Sequence, residues 1–227
     1  MSKYLYVIIE TPGCRSLDFL DQAIEKDNLR KSVFLQMDDP RLSDSKEYSS
    51  WSLTGDNHFQ FSEQNPQDFE ESFLLLNNLT CLATQLEAVV AFLSQESEME
   101  IGRIISFIHG PILENQPDNF FNWLDGVAHF SDCFCFVDRS NQNGSFLKEV
   151  EDRYKTLRYP LETFQLGKKS NRWAQILNPS PRRVSHIFDT PDLLDEEDTV
   201  ENDPFLKKLP NGIRQRSIPL LFSEESD

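Results

Sequence analysis

Basic residues are scarce in this sequence relative to acidic ones. The 227 residues include 22 Lys and Arg against 38 Asp and Glu, which gives a formal charge of −16. Residues 189–203 hold eight acids and no base, and this stretch supplies half of the excess. Because a chain of this charge repels polyanions at neutral pH, we expect neither a nucleic-acid partner nor an anionic membrane partner.

Cysteines and long hydrophobic runs are also few. Four cysteines are too sparse for a disulfide framework, and this usage is typical of a reducing compartment. The apolar runs, such as those at residues 5–9 and 134–137, are far too short to span a bilayer, and no basic segment with an apolar stretch follows Met1. These features predict a soluble, cytoplasmic protein with free thiols.

Short apolar runs alternate with helical patterns over residues 1–181. The predicted strands cover residues 3–9, 32–37, 58–62 (an edge strand), 102–108, 132–138 and 161–166. One predicted helix begins after Ser16. The others cover residues 67–76, 79–93, 118–130 (capped by Asp118), 145–157 and 172–177. This alternation predicts a three-layer α/β domain with helices on both faces of a mostly parallel, doubly wound sheet.

Two segments lack this alternation. Residues 41–57 are polar and predict a long surface loop. Residues 182–227 predict an irregular, acidic C-terminal tail outside the domain. The tail carries four apolar islands, which we expect to dock on the domain, on a protein partner or on a second copy of the chain: Ile187-Phe188, Leu193-Leu194, Phe205-Leu206 and the island at 220–222.

The turn after the first strand, TPGCRS, stands where a P-loop would hold phosphate. A P-loop, G-x-x-x-x-G-K-[ST], needs bare backbone N–H groups around the phosphates, a Lys to reach them and a hydroxyl for Mg²⁺. On that template residues 9–16 keep only Ser16; Arg15 replaces the Lys, both glycines are absent, and Pro12 has no N–H. The turn is either an ordinary strand-to-helix connection with Ser16 as N-cap or a weak anion site formed by Gly13, Arg15 and the helix N-terminus.

Four segments in order resemble the CobW-type GTPases, the metal-chaperone branch of the P-loop proteins. TPGCRSL is similar to their phosphate loop, and NLTCLATQLEAVVAFL is similar to their GCICC segment and following helix. GRIISFIHGPI resembles their D-x-V-x-I-E-T-S-G strand, and DCFCFVD resembles their V-V-T-V-V-D-A strand. The resemblance covers roughly residues 4–177 and implies a P-loop-NTPase-like fold.

The departures from that family concern its chemistry. Only Cys81 stands where the family has three cysteines, the Walker Lys is absent, and no N-K-x-D guanine motif appears near residues 166–169. The resemblance therefore implies a member with a degenerate Walker A motif that has lost nucleotide hydrolysis and metal transfer, a scaffold reused for another purpose.

Polar residues at the carboxyl ends of the predicted strands are the candidate ligand-binding residues, because parallel sheets bind ligands at that edge. The set is Thr11, Gly13, Arg15, Ser16, Asp38, His109 and Asp138. Acids at this edge also serve as helix caps and solvated loop residues. Four acids are predicted near this edge: Asp38, Asp39, Glu114 and Asp138. If they cluster, they would hold a divalent cation or serve as general acid and base.

The thiols offer two further interpretations. Cys133 and Cys135 share one face of a strand and would hold a metal with His109 or His129, but packed thiols in a buried strand are favoured because no second metal-binding pair is present. Cys14, at a helix N-terminus, would have a lowered pKa and be sensitive to oxidation.

Three hypotheses for function follow. The leading one is a non-catalytic or regulatory binding domain with the tail as a contact arm for a protein partner or a homodimer. The second is a small enzyme with its chemistry at the strand ends, on Arg15, Asp38, His109 and Asp138. The third is a phosphate or nucleotide binder that does not hydrolyse. The sequence identifies no cofactor.

Overall fold

An eight-stranded sheet organises the chain in the computed structural model, which describes residues 3–24, 29–43, 48–96, 98–167, 172–189 and 198–222. The strands are β1 (Lys3–Glu10), β2 (Lys31–Gln36), β3 (Ser49–Leu53), β4 (Phe59–Phe61), β5 (Glu71–Leu75), β6 (Met99–His109), β7 (Cys133–Val137) and β8 (Glu162–Leu166). Their order across the sheet is β4-β3-β2-β5-β1-β6-β7-β8. All neighbours are parallel except β3 and β4, which are antiparallel.

The first strand lies near the middle of the sheet. It pairs with β5 on one side and with β6 on the other, and residues 5–9 are almost fully buried. A parallel strand covered on both faces needs apolar side chains at every position, which explains why this run shows no polar alternation.

Helices cover both faces. They are α1 (Ser16–Ile24), α2 (Leu82–Gln95), α3 (Phe120–Phe130), α4 (Gly144–Thr156) and α5 (Trp173–Ile176). The first and last pack on one face of the sheet, and α2, α3 and α4 pack on the other. This arrangement confirms the predicted three-layer, mostly parallel α/β fold. Within the described ranges, no helix has the length and apolarity that crossing a membrane requires.

The predicted helix at 67–76 is wrong. A 3₁₀ turn at Pro66–Asp68 leads into β5, which lies between β1 and β2 in the sheet. Residues 72–75 are buried on both faces. A short apolar run cannot be distinguished from a buried helix by its pattern alone, and here the sheet contacts decide the structure over the helix propensity of Leu.

The predicted surface loop at 41–57 is wrong in part, whereas the predicted edge strand at 58–62 is confirmed as β4. A 3₁₀ helix occupies Pro40–Ser43, and β3 follows at Ser49–Leu53. The strand forms because Trp51 is buried, with 1% of its surface exposed, and its indole N–H donates to the backbone oxygen of Leu75 at 3.0 Å. The polar residues around Trp51 concealed this single anchor.

The two predicted helix caps are also wrong. Ser16 is the first residue of α1 rather than the residue before it, and its hydroxyl donates to the Glu10 carboxylate. Asp118 is not the cap of α3, because Asn119 occupies that position in a left-handed conformation with φ of 64°.

The tail packs against the domain over much of its described length. Phe188, Phe205, Leu206 and Phe222 are all buried in the core on the side of α2, α3 and α4. Three of the four apolar islands therefore dock on the chain's own domain, while Leu193-Leu194 lies outside the described residues. The expected contact of the tail with a partner or a second copy stays a prediction.

A buried ion pair joins the start of the tail to the sheet. Asp132 precedes β7, and its Oδ2 accepts from the backbone N–H of Ile104 at 2.7 Å and from Arg183 Nη1 at 2.8 Å. Its Oδ1 accepts from the backbone N–H of Arg182. Both side chains of the Asp132–Arg183 pair have 0% exposure. The carboxylate therefore connects β6, β7 and the tail in one desolvated network.

A second polar contact anchors the tail further along. Asp203 Oδ2 accepts from His129 Nε2 and from the Ser185 hydroxyl, both at 2.7 Å, and its Oδ1 accepts from the backbone N–H of Phe205 at 2.9 Å. Burial raises the pKa of Asp203, but the hydrogen bond and charge of His129, with the bonds from Ser185 and Phe205, outweigh it and lower the pKa below its usual value.

Asp203→Asn should reduce stability at about pH 7 but have less effect in acid. The folded-state pKa of Asp203 lies below its unfolded value of about 3.9, so the carboxylate stabilises the fold above that pH and loses this effect as pH falls through the folded pKa. Urea unfolding of both proteins at a series of pH values measures the difference. A gap in free energy of unfolding that stays constant down to about pH 3 would contradict this role.

Candidate functional site at the strand ends

The connection between β1 and α1 is short and tied to the neighbouring strand. The strand runs through Glu10 and the helix begins at Ser16, so only five residues join them. The backbone N–H of Thr11 donates to the oxygen of Phe107 at 3.0 Å, and the Thr11 hydroxyl accepts from the backbone N–H of His109 at 2.8 Å. Thr11 thus fixes the turn to the end of β6 by both its backbone and its side chain.

Gly13 is covered by a histidine ring. Its φ of +85° lies in the left-handed region, and a Cβ at this position would stand 2.7 Å from His109 Nδ1. Only glycine adopts this φ without strain and has no Cβ that would clash with the ring. The ring therefore rests on the backbone at the place where a P-loop presents its own backbone to phosphate.

Cys14 does not have the environment of a reactive thiol. Its surface is 1% exposed, and its Sγ donates to the backbone oxygen of Phe107 at 3.2 Å. Burial raises the pKa of the Cys14 thiol to about 12. The expectation of a lowered pKa and easy oxidation is wrong, because desolvation at this position outweighs the field of the helix N-terminus.

Arg15, His109 and Asp138 come together at the carboxyl ends of β1, β6 and β7. Asp138 Oδ1 is 3.5 Å from Arg15 Nη2, and its Oδ2 is 3.2 Å from His109 Nε2. The side chains of Arg15 and Asp138 are 59% and 44% exposed, so their pairing contributes little to stability. Both residues have positive φ, 48° and 53°, which is costly outside glycine and concentrates backbone strain in this cluster.

A second polar group lies on the other side of the turn. Arg41 Nη1 is 2.6 Å from Glu10 Oε1, and the same guanidinium holds Asp39 in a two-pronged contact at 2.9 and 2.7 Å. Burial raises the pKa of Asp39, but its bonds from Arg41 lower it below the usual value. Arg41 is not among the predicted site residues, because residues 41–57 were assigned to a loop, although the order Asp-Asp-Pro-Arg after a strand was a usable signal.

Asp38 lies apart from the Arg15–His109–Asp138 cluster. It follows β2, is exposed, and lines a groove of about 700 Å³. Arg15 and Asp138 line a different cavity of about 610 Å³, together with Arg139 and Gln165. The sheet order explains the separation, since β5 lies between β1 and β2. Of the predicted site residues, Arg15 and Asp138 therefore line one cavity and Asp38 the other.

The four acids do not converge on a cation site. Asp39 is held by Arg41 and Asp138 by Arg15, while Glu114 accepts from the Ser140 hydroxyl at 3.5 Å. Across the part of the chain that the structure describes, no group of three or more His, Cys, Asp or Glu side chains is arranged to hold a metal ion.

The strand thiols are buried packing groups. Cys133 and Cys135 face the side of the sheet that α1 covers, and desolvation raises the pKa of Cys135 well above its usual value. The histidines proposed to assist them bond elsewhere: His109 contacts Asp138, and His129 contacts Asp203.

Comparison with known proteins gives a likeness in fold. No protein-family model matches the chain, and no curated protein matches it in sequence. Among solved structures, it is similar to the Zn(II)-bound YjiA GTPase from E. coli, a CobW-type GTPase, with a TM-score of 0.52 and 10% identity over 85% of this chain and 66% of that one. A Zn(II)-bound triple mutant of YjiA gives a TM-score of 0.51 and 11% identity over 85% and 67%.

The chain thus spans about two thirds of the length of these structures. The domain has a P-loop-NTPase-like α/β fold that resembles the CobW-type GTPases.

Proposed function

We propose that this domain acts by binding and does not hydrolyse nucleotides, its phosphate loop having been replaced by a closed turn. The observation that carries the proposal is the turn at residues 11–16, where the His109 ring lies against Gly13 and two backbone N–H groups are already bonded.

Two of the five backbone N–H groups at residues 11–16 are already bonded within the chain. Thr11 donates to Phe107, Cys14 donates to Thr11, and Pro12 has no N–H. A phosphate cradle requires several adjacent free N–H groups. The one remaining glycine, Gly13, lies against the His109 ring, so a phosphate oxygen would have to displace that ring.

Carboxylates flank the start of α1 on both sides. Asp138 contacts Arg15, and Glu10 accepts from the Ser16 hydroxyl, which would otherwise be a magnesium ligand. A negative charge is favourable at a helix N-terminus, and here protein side chains supply it. An incoming phosphate would therefore meet like charges, and this supports a role without nucleotide turnover.

The rival functions have less support. The enzyme hypothesis needs Asp38 beside Arg15, His109 and Asp138, but Asp38 lines the other cavity. The hypothesis of a non-hydrolysing nucleotide binder has one observation in its favour, the cavity of about 610 Å³ that holds Arg15 and Arg139 beside the start of α1. Binding measurements separate it from our proposal.

The purified protein should show no change in melting temperature with Mg²⁺ and GTP, ATP or their diphosphates, and no release of phosphate. A site filled at a hundred times its Kd would stabilise the fold by about 2.7 kcal/mol, which such a screen detects readily. Arg15→Ala should behave as wild type does, as should the control Lys148→Ala on the exposed face of α4. Nucleotide stabilisation that Arg15→Ala removes, but Lys148→Ala does not, would favour the nucleotide binder; phosphate release would overturn the proposal.

The reciprocal variant is Asp138→Asn. If the Asp138 carboxylate helps to exclude phosphate, its neutralisation should let pyrophosphate bind more tightly than to wild type, and adding Arg15→Ala should reverse the gain. Equal weak binding by wild type and Asp138→Asn would mean that charge at this position does not control the site.

A further inference from the structure

Residues 207–215 of the tail form a small hairpin. The backbone N–H of Leu209 donates to the oxygen of Ile213 at 2.8 Å across it. The three-residue loop is Pro210-Asn211-Gly212, and Gly212 has a φ of +81°, the left-handed conformation that such a loop requires at its last position. The local sequence therefore fixes the backbone of the tip, which presents Leu209 and Ile213 to solvent with 40% and 63% of their surfaces exposed.

The base of the hairpin is held on α2. Arg214 Nη1 is 2.7 Å from Glu87 Oε1, and Arg214 Nη2 donates to the Thr84 hydroxyl at 3.3 Å. Lys208 pairs with Arg214 in an antiparallel bridge, and its Nζ is 3.2 Å from Glu87 Oε2. Because the tip is exposed on an anchored base, a binding partner would meet it with little loss of conformational entropy.

The hairpin is basic in an acidic chain. Residues 204–222 carry four bases and no acid, so the remainder of the chain carries −16 − 4 = −20. Glu87 neutralises part of the hairpin charge, but Lys207 and Arg216 make no ion pair within the described ranges. The charge of the hairpin favours an acidic partner surface, and its exposed Leu209 and Ile213 favour an apolar one.

The groove at the carboxyl ends of β1, β2 and β5 has both properties. It measures about 700 Å³, within the range of ordinary binding sites. Its apolar side chains include Leu75, Leu76, Leu79, Leu220 and Phe222, and its charged ones are Glu10, Asp38, Asp39 and Arg41. Asp38 is exposed and makes no ion pair or hydrogen bond among the described residues. The polar atoms of Asn78, which also lines the groove, are hidden from solvent and have no hydrogen-bond partner in the described ranges, so they take no part in binding.

The hairpin and the groove flank the same end of α2. Thr80, just before this helix, lines the groove, and Thr84, in its first turn, binds the base of the hairpin. Three of the seven large apolar side chains that are exposed in the described ranges lie on this face, and they are Leu209, Ile213 and Leu220. A convex basic element beside a concave acidic one makes a surface self-complementary. A two-fold axis across such a face brings each convex element to the concave one of the other copy.

We propose that this face binds a second copy of the chain, as a two-fold dimer in which the hairpin of each copy enters the groove of the other. Leu209 and Ile213 pack on the groove leucines, and Lys207 lies toward Asp38 of the other copy. The acids of the groove outnumber its one base, so its charge is opposite to that of the hairpin. The inference rests on the proposed binding function and names the partner and the contact surface.

Sedimentation equilibrium of the whole protein tests the association. One hairpin in one groove is a small contact, so we expect a weak dimer with a Kd on the order of 10 µM. Because charge attraction contributes, raising the salt from about 0.05 M to about 0.5 M should weaken the dimer at least about tenfold. A chain that stays monomeric at low salt up to about 200 µM, far above the expected Kd, would overturn the inference.

Charge reversal tests the pairing of hairpin with groove. Lys207→Glu and Asp38→Lys should each be monomeric alone, because both contacts of the dimer then join like charges. An equal mixture of the two variants should associate with near wild-type affinity, because both contacts of the mixed dimer join opposite charges. Dimers of either variant alone as tight as wild type, or a mixture that stays monomeric, would refute this pairing.

Leu209→Asp tests the apolar tip. It should abolish association and keep the wild-type melting temperature at about 1 µM protein, a concentration at which the chain is monomeric. The matched control is Leu157→Asp, which changes an apolar residue of similar exposure, 48%, at the end of α4 and should leave association unchanged. Equal loss of association in both variants would remove the support for the hairpin. The nucleotide measurements above do not depend on the dimer, so failure of this inference is distinguishable from failure of the proposed function.

Discussion

Asp132→Asn is expected to lower the free energy of unfolding by about 3 kcal/mol. Removing one partner of a buried ion pair leaves the other charge uncompensated, at a cost of about 3–5 kcal/mol. Arg183 is fully buried, and Asp132 also accepts from two backbone N–H groups of separate segments. We place the loss at the lower end of that range because Asp189 still contacts the Arg183 guanidinium.

Urea unfolding monitored by circular dichroism measures this loss. The matched control is Glu98→Gln, which removes the carboxylate from a surface pair with Lys3 at 3.3 Å, where the Glu98 side chain is 80% exposed. Because exposed pairs contribute little, the control should shift the free energy by no more than about 0.5 kcal/mol. Equal effects of the two substitutions would show that water reaches Asp132 and Arg183 in solution.

Phe205→Ala is expected to cost about 3–5 kcal/mol, although the residue lies in an irregular tail. Phe205 is 1% exposed, and its ring centroid is 5.1 Å from that of His129 and 6.0 Å from that of Phe130. The Arg216 guanidinium stands 4.4 Å from the ring centroid on a segment of the same tail. Truncation would remove core contacts, leave a cavity beside α3 and release the cation from its aromatic partner.

Ile213→Ala is the control for this second prediction. Ile213 belongs to the same tail but is 63% exposed, so its truncation should change stability by at most about 0.5 kcal/mol. A loss below about 1 kcal/mol for Phe205→Ala would mean that the tail folds onto the domain only weakly. In that case a chain shortened to residues 1–189, which keeps Arg183 and Asp189, should keep the unfolding midpoint of the full chain.

Much of the fold could be predicted because its strands are covered on both faces. The runs in β1 and β7 have apolar side chains at nearly every position, β6 has them at residues 104–105 and 107–108, and α2 repeats Leu82, Leu86 and Val89 at helical spacing on a buried face. β5 was missed because its apolar run is short: the four apolar residues 73–76 are compatible with either a central strand or a buried helix.

That one error concealed the groove. Asn77 and Asn78 follow one residue after the end of β5, at the ligand-binding edge of the sheet, but a helix assigned to residues 67–76 gave them no such position. By contrast, Arg15, His109 and Asp138 followed correctly predicted neighbouring strands, and the structure brings these three side chains together. No sequence pattern records that the Asn78 amide lacks a partner, because this depends on packing between segments far apart in the chain.

The central position of β1 has a consequence for the order of folding during synthesis. Tyr4 pairs with Glu71 in β5, and Lys3 pairs with Met99 in β6, so the first strand has no neighbour in the sheet until those segments have left the ribosome. Phe205 and Leu206 then cover α3 only after β8 is made. Pairings between such distant segments form slowly, and the apolar first strand stays exposed meanwhile. Nascent chains that end before residue 99 should therefore depend on chaperones.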